Sequence, residues 1–111
     1  MAHSINGTNI TLTRGDSLFL KIHMTRDGEE FSPEEGSEVR FAMKLNYSDP
    51  DESVVLIKDI PLDSMLLEIK PKDTKTLPMK TSYVYDIQYT DPYGHVDTFI
   101  KGRFKISEEV I

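Results

Sequence analysis

Apolar and polar residues alternate one for one along most of this chain, and a period of two describes extended strands with one buried face. Ile10 and Leu12 alternate with threonines up to the turn-forming Arg14-Gly15-Asp16. Leu18, Leu20, Ile22 and Met24 share one face, with Ser17, Phe19, Lys21 and His23 on the other. Val39, Phe41, Met43 and Leu45 repeat the pattern against Arg40 and Lys44. Tyr83, Tyr85, Ile87 and Tyr89 do so against Val84, Asp86, Gln88 and Thr90. Val96, Thr98, Ile100, Phe104 and Ile106 fall on one face of a final strand, where Gly102 marks a bulge or a close approach. The run Val54-Val55-Leu56-Ile57 reads as a short strand buried on both faces, and Met65 to Lys70 as another strand.

The punctuation between these segments agrees. Arg26-Asp27-Gly28 and Asp91-Pro92-Tyr93-Gly94 are turn signals, and 33–36 and 46–53 read as loops. Only Pro71 to Lys80 suits a helical turn, capped by Asp73 or Thr74 and ended by Pro78. About seven short strands without βαβ alternation predict an all-β fold, a two-sheet antiparallel β-sandwich of the immunoglobulin-like kind. One domain spanning residues 1–111 is expected, with 1–9 a loosely ordered N-terminal segment. Its predicted core includes Ile22, Phe41, Ile69, Ile87 and Phe104.

The chain has no cysteine, which removes disulfides, thiolate catalysis and cysteine-ligated metal. The start, MAHSINGTNI, shows neither the basic nor the apolar region of a signal peptide. No apolar run approaches the roughly 20 residues of a membrane-spanning helix, so a soluble chain without membrane contact is expected. Nineteen acidic residues against 13 basic ones give a net charge of −6, which repels polyanions and argues against nucleic-acid partners. The charge is segregated along the chain. Glu29, Glu30, Glu34, Glu35, Glu38, Asp49, Asp51 and Glu52 precede a basic group, Lys70, Lys72, Lys75 and Lys80, around Asp73. This segregation describes either solvated loops at opposite ends of one domain or complementary patches that dock copies head to tail.

Chemistry-bearing motifs are weak. Arg14-Gly15-Asp16-Ser17 is the integrin-recognition tetrapeptide, but a glycine turn between strands is the expected reading, since it needs no secretion and short motifs recur by chance. Asn6, Asn9 and Asn46 open glycosylation sequons that matter only in a secretory pathway. His3, His23 and His95 share no metal-ligand spacing, and Asp49, Asp51 and Glu52 lack the glycine and distal glutamate of a calcium loop. No nucleophile elbow, Cys–His pair or phosphate loop is present. No catalytic, cofactor-binding or metal residues are therefore assigned, and no enzyme is expected. Tyr83, Tyr85 and Tyr89 form one row that suits core packing, with a ligand platform as the alternative; Tyr47 and Tyr93, on loops, suit intermolecular contact.

Four segments taken together carry a resemblance: Leu12-Thr13-Arg14-Gly15-Asp16-Ser17, Lys70-Pro71-Lys72-Asp73-Thr74, Tyr83-Val84-Tyr85-Asp86-Ile87, and Thr98 to Ile106 with Gly102 and Phe104. This succession resembles small structural proteins of phages and prophages of Gram-positive bacteria. It is similar to the N-terminal domain of the upper baseplate protein of siphophage tails. The resemblance implies a non-enzymatic β-sandwich made in the bacterial cytoplasm and destined for the virion. Its implied partners are other phage structural proteins or copies of itself, docked through sheet edges and loops, with no cofactor. Only five residues follow Ile106, so the receptor-binding region of longer relatives is expected to be missing. The competing expectation is a free-standing carbohydrate-binding or adhesion-like sandwich, which needs two or more exposed, coplanar aromatics on one face.

Overall fold

The computed structural model describes residues 3–77 and 81–107. Ten strands run in chain order: β1 (His3–Asn6), β2 (Asn9–Thr13), β3 (Leu18–Lys21), β4 (Met24–Arg26), β5 (Glu29–Phe31), β6 (Glu38–Lys44), β7 (Leu56–Ile60), β8 (Leu66–Ile69), β9 (Thr81–Thr90) and β10 (Val96–Ser107). One short helix, α1 (Pro71–Lys75), follows β8, and a 3-10 turn covers Asp51–Ser53. The all-β expectation holds. The count rises above seven because Leu18–Met24 breaks at Ile22 and His23 into two strands, and because β1 and β5 were not foreseen. Within the N-terminal segment, β1 pairs with β2, from His3 opposite Leu12 to Asn6 opposite Asn9.

Six strands form one sheet in the order β1-β2-β10-β9-β6-β7, while β3 pairs with β8 and β4 with β5 in two small sheets. The large sheet is mixed: β2 runs parallel to β10, and the other pairings are antiparallel. Alternation fixes which face a side chain takes but not the direction of the partner strand, so Ile10 and Leu12 fit beside Phe104 and Ile106 without any local sign of it.

The core is a single cluster. Leu18, Leu67 and Ile69 of the β3–β8 pair join Leu12, Phe41, Met43, Ile87, Phe104 and Ile106 of the large sheet. All five predicted core residues are buried. Met24 and Ile22 stay on the core side despite the break, because the Ile22 N–H bonds the Met65 carbonyl (2.8 Å) and holds the chain in line. The Asp27-Gly28 hairpin turn takes positive φ at both positions, 54° and 81°, which only such residues adopt cheaply.

Three face assignments need correction, the first that of Leu45, which lies beyond the end of β6 and is exposed. A register shift between Thr98 and Ile100 inserts Phe99 into β10, so Val96 and Thr98 turn outward and Phe99 turns in. Phe99 stacks on Phe31 at 5.0 Å, with Arg26 over both rings. The run 54–57 is not buried on both faces: β7 is an edge of the large sheet, and Val55 and Ile57 are exposed. Nothing among the described residues layers over that side.

Candidate interaction surface

The Arg14-Gly15-Asp16 turn faces α1 instead of solvent. Gly15, at φ +85°, donates its N–H to the Thr74 hydroxyl (2.9 Å), and Thr74 is fully buried. The Arg14 guanidinium donates to the Leu77 carbonyl (3.3 Å), and the Arg14 N–H to the Ser107 carbonyl (3.1 Å). Both charged residues of the turn are partly covered. An adhesive tripeptide needs an exposed tip with free side chains; here the arginine holds the end of a helix. Two segments far apart in sequence, the glycine turn and Pro71–Thr74, thus form one corner.

Inside that corner Asp73 organises the helix start. Pro71 occupies the first helical position, where its missing N–H costs nothing. The Asp73 carboxylate accepts the Lys70 N–H (2.7 Å) and the Lys58 ammonium (2.9 Å). Partial burial pushes the Asp73 carboxyl up, but the Lys70 N–H and Lys58 bonds, with the charges of Lys58 and Lys72, outweigh it and leave it below its ordinary value. Lys58 therefore points inward from the middle of edge strand β7, a device that discourages unspecific edge pairing.

Gly102 marks a close approach, not a bulge. A Cβ there would lie 2.2 Å from the Thr8 carbonyl oxygen, so the chain leaving β1 crosses β10 where only glycine fits. The Tyr85 hydroxyl donates to the same Thr8 carbonyl (2.5 Å) and holds the crossing in place. From the loop after β6, Tyr47 donates its hydroxyl between the Tyr85 and Gly102 carbonyls at 3.2 and 3.1 Å. Of the sequon asparagines, Asn9 accepts the Arg103 N–H (3.1 Å) and extends the β2–β10 ladder by one bond.

The tyrosine row packs inward. Tyr83, Tyr85 and Tyr89 are buried, and the Tyr89 hydroxyl bonds Ser37 at 2.9 Å. The exposed aromatics lie on separate surfaces. Phe19 is on the outer face of β3, Tyr47 beside the outer face of β9 and β10, and Tyr93, 84% exposed, at the tip of the 91–94 turn. Among the described residues no two of them form a platform.

The glutamates of 29–38 and the basic group sit at opposite ends of β9, whereas Asp49, Asp51 and Glu52 follow Lys44, which lies opposite Val84 toward the basic end. Glu38 is beside Thr90, while Thr74 meets the turn after Thr13, next to Ser107 and the Thr81 end. Glu29, Glu30, Glu34, Glu35 and Glu38 are exposed at the first end; Lys70, Lys72 and Lys75 are exposed at the second, and Lys80 lies outside the described residues. Asp49 and Asp51 fold their own loop: Asp49 accepts the Asn46 N–H (3.1 Å), and Lys44 bonds the Asp49 carbonyl (2.9 Å) and lies 3.7 Å from Asp51. His23 approaches Glu30 at 3.8 Å, and His95 lies 3.0 Å from Asp91 in the turn they close. The His95 and Tyr93 N–H bonds hold the Asp91 carboxyl below its ordinary value. The His3 side chain lies outside the described residues. Among the described residues, no three His, Asp or Glu side chains converge on a metal position.

Exposed apolar side chains lie on both outer faces: Phe19 (57% exposed) and Leu66 (36%) stand on the outer face of β3–β8 among Lys21 and Glu68, and Ile57 (52%) on the outer face of the large sheet opposite Ala42. Ile57 and Leu66 flank a groove of about 450 Å³ between β7 and β8, with Lys58, Asp59, Glu68 and Lys70 at its sides. A second, apolar gap of about 200 Å³ opens between the layers near Thr8, lined by Ile10, Leu20, Ile22, Leu67 and Ile87. It falls below the range of about 300–1,000 Å³ in which small-molecule sites lie.

Sequence reasoning missed a further row, Lys101, Arg103 and Lys105, exposed on the outward face of β10. Their alternation with Gly102, Phe104 and Ile106 was the available signal. No helix among the described residues is long and apolar enough to cross a membrane. Compared with known proteins, the chain matches no family model and no curated protein.

Proposed function

We propose that this chain is a non-enzymatic structural protein of a phage or prophage virion, a baseplate or tail assembly module acting through protein–protein contacts. The observation that carries the assembly reading is the edge strand β7, where Val55 and Ile57 stand exposed and Ile57 flanks a groove with Leu66. Exposed apolar side chains of this kind next to unpaired backbone are a liability in a solitary chain and are buried in an assembly. The phage reading rests on the resemblance of the turn and core segments, two of which, Gly15 and Thr74, bond each other. We read the β3–β8 and β4–β5 pairs as one interrupted second sheet, giving an immunoglobulin-like two-sheet sandwich with β2 and β1 added at the margin of the first. The sugar-binding alternative draws no support from the separated exposed aromatics.

The test is incorporation into particles. Particles purified from a strain that produces this chain, probed with an antibody against it, are expected to contain it at fixed stoichiometry. Phe19→Glu and Ile57→Glu variants, both at exposed positions, are expected to fold and to be left out. Complete particles without the chain would overturn the proposal. So would variants incorporated as well as the parent.

A further inference from the structure

Lys101, Arg103 and Lys105 stand exposed in a row on β10, and none has an ion-pair partner among the described residues. Lys101 lies over the Tyr47 ring at 5.4 Å. On one flank β2 sets Thr11 beside Lys105 and Thr13 beside Ser107 and presents no acid, while on the other β9 sets Asp86 opposite Lys101. The face is therefore most basic at Arg103 and Lys105, where hydrogen-bonding groups adjoin it. At the other end of β9, Glu29, Glu34, Glu35 and Glu38 are exposed, likewise without ion-pair partners among the described residues.

The two groups cannot neutralise each other within one molecule. Lys101, Arg103 and Lys105 are level with Asp86, Val84 and Ser82, and Glu38 with Thr90. Those spans of β9 run from about 13 to about 26 Å at the ordinary strand rise, beyond a screening length of about 8 Å. A second copy brings the matching charge to each. We propose that the basic face of β10 docks the Glu29–Glu38 end of a second copy of this chain, head to tail. The overall charge of −6 disfavours a polyanion on the same face, whereas the acidic end of a copy offers a compact, folded set of carboxylates. Each docked pair leaves one basic face and one acidic end free, so the contact propagates into a ring or a filament. This deepens the assembly reading by naming one partner.

Two charge-reversed variants test it by sedimentation velocity: Lys101→Glu with Arg103→Glu, and Glu34→Lys with Glu35→Lys. The parent is expected to associate with rising concentration, and high salt to weaken that association by about tenfold or more. Each variant alone should stay monomeric, and an equal mixture should associate again, because each restores the other's complement. Thermal melts close to the parent's verify folding; if a reversal unfolds the chain, Lys101→Gln with Arg103→Gln carries the test and should weaken association. A parent that is monomeric at low salt, or variants that associate as the parent does, overturns the inference. So does a monomeric parent retained on heparin through Lys101 and Arg103, which would assign the face to a foreign polyanion. Self-association without incorporation into particles would sink the assembly reading alone; incorporation of a strictly monomeric chain would sink this inference alone.

Discussion

Around α1 the Asp73 side chain is only 10% exposed and takes hydrogen bonds from Lys58 and Lys70, whereas Glu34, Glu35 and Glu38, at the far end of β9, stand in water without ion-pair partners among the described residues. Both regions are charged, and both are loops or short turns at the end of one sheet. They differ in what the charge does. At the corner, desolvated groups with fixed partners hold the chain in place, and removing one partner strands the other. At the acidic end, water already satisfies the carboxylates, so they add little to stability and act at a distance, on whatever approaches.

The largest expected effect calibrates this comparison. Phe104 packs against Phe41 and Tyr85 at 6.1 and 6.4 Å in the shared core. Phe104→Ala should cost about 3–5 kcal/mol and so approach the whole stability of an ordinary domain. A chemical-denaturation midpoint close to the parent's would mean that the packing of Phe104 carries little of the fold's stability.

Next come the corner's own bonds. Lys58→Met leaves the Asp73 carboxylate without its ammonium, and Thr74→Val leaves the Gly15 N–H without an acceptor at nearly unchanged shape. Each should cost about 1–3 kcal/mol, while Thr74→Ser, which keeps the hydroxyl, should cost less than Thr74→Val. If Val and Ser prove equal at this position, the Gly15 bond contributes nothing and the corner is held by packing alone.

Acid titration sharpens the contrast by sign. The Asp73 carboxyl is held below its ordinary value, so its contribution is fully present above about pH 4 and is lost as pH falls through its lowered value. The advantage of the parent over Asp73→Asn should therefore shrink on acidification. Asp86 behaves oppositely. Burial pushes its carboxyl up against the Gln88 hydrogen bond and the charges of Lys44 and Lys101, so its ionised form is a cost in the folded chain. Asp86→Asn should stabilise above the raised value and lose that benefit as pH falls through it. Parallel pH profiles for the two variants would contradict this assignment.

The smallest effect belongs to the acidic end. Glu34→Gln and Glu35→Gln should each change stability by less than about 0.5 kcal/mol. A loss comparable to that of Lys58→Met would erase the distinction between the two regions.

Much of this was legible without coordinates, because alternation and turn chemistry are local. A strand with Leu18, Ile22 and Met24 on one face must turn that face inward wherever it lies, and all three are buried. Asp27-Gly28 and Asp91 to Gly94 specify their turns through backbone preferences that act within four residues. The site was less legible. The exposed charge and Phe19 could be placed on the right face, but the exposure of Ile57 could not, because the sequence put it in a fully buried strand.

What tertiary structure alone decided are matters of partnership. That β2 lies parallel to β10, that β7 is an edge, and that Phe99 enters the core through a bulge depend on which strands meet. The same holds for Gly15 finding Thr74, and for the Thr8 carbonyl resting on Gly102. A side chain's face follows from the geometry of its own strand, whereas its neighbour is chosen by packing the whole chain around one core, and that choice leaves no mark within a few residues.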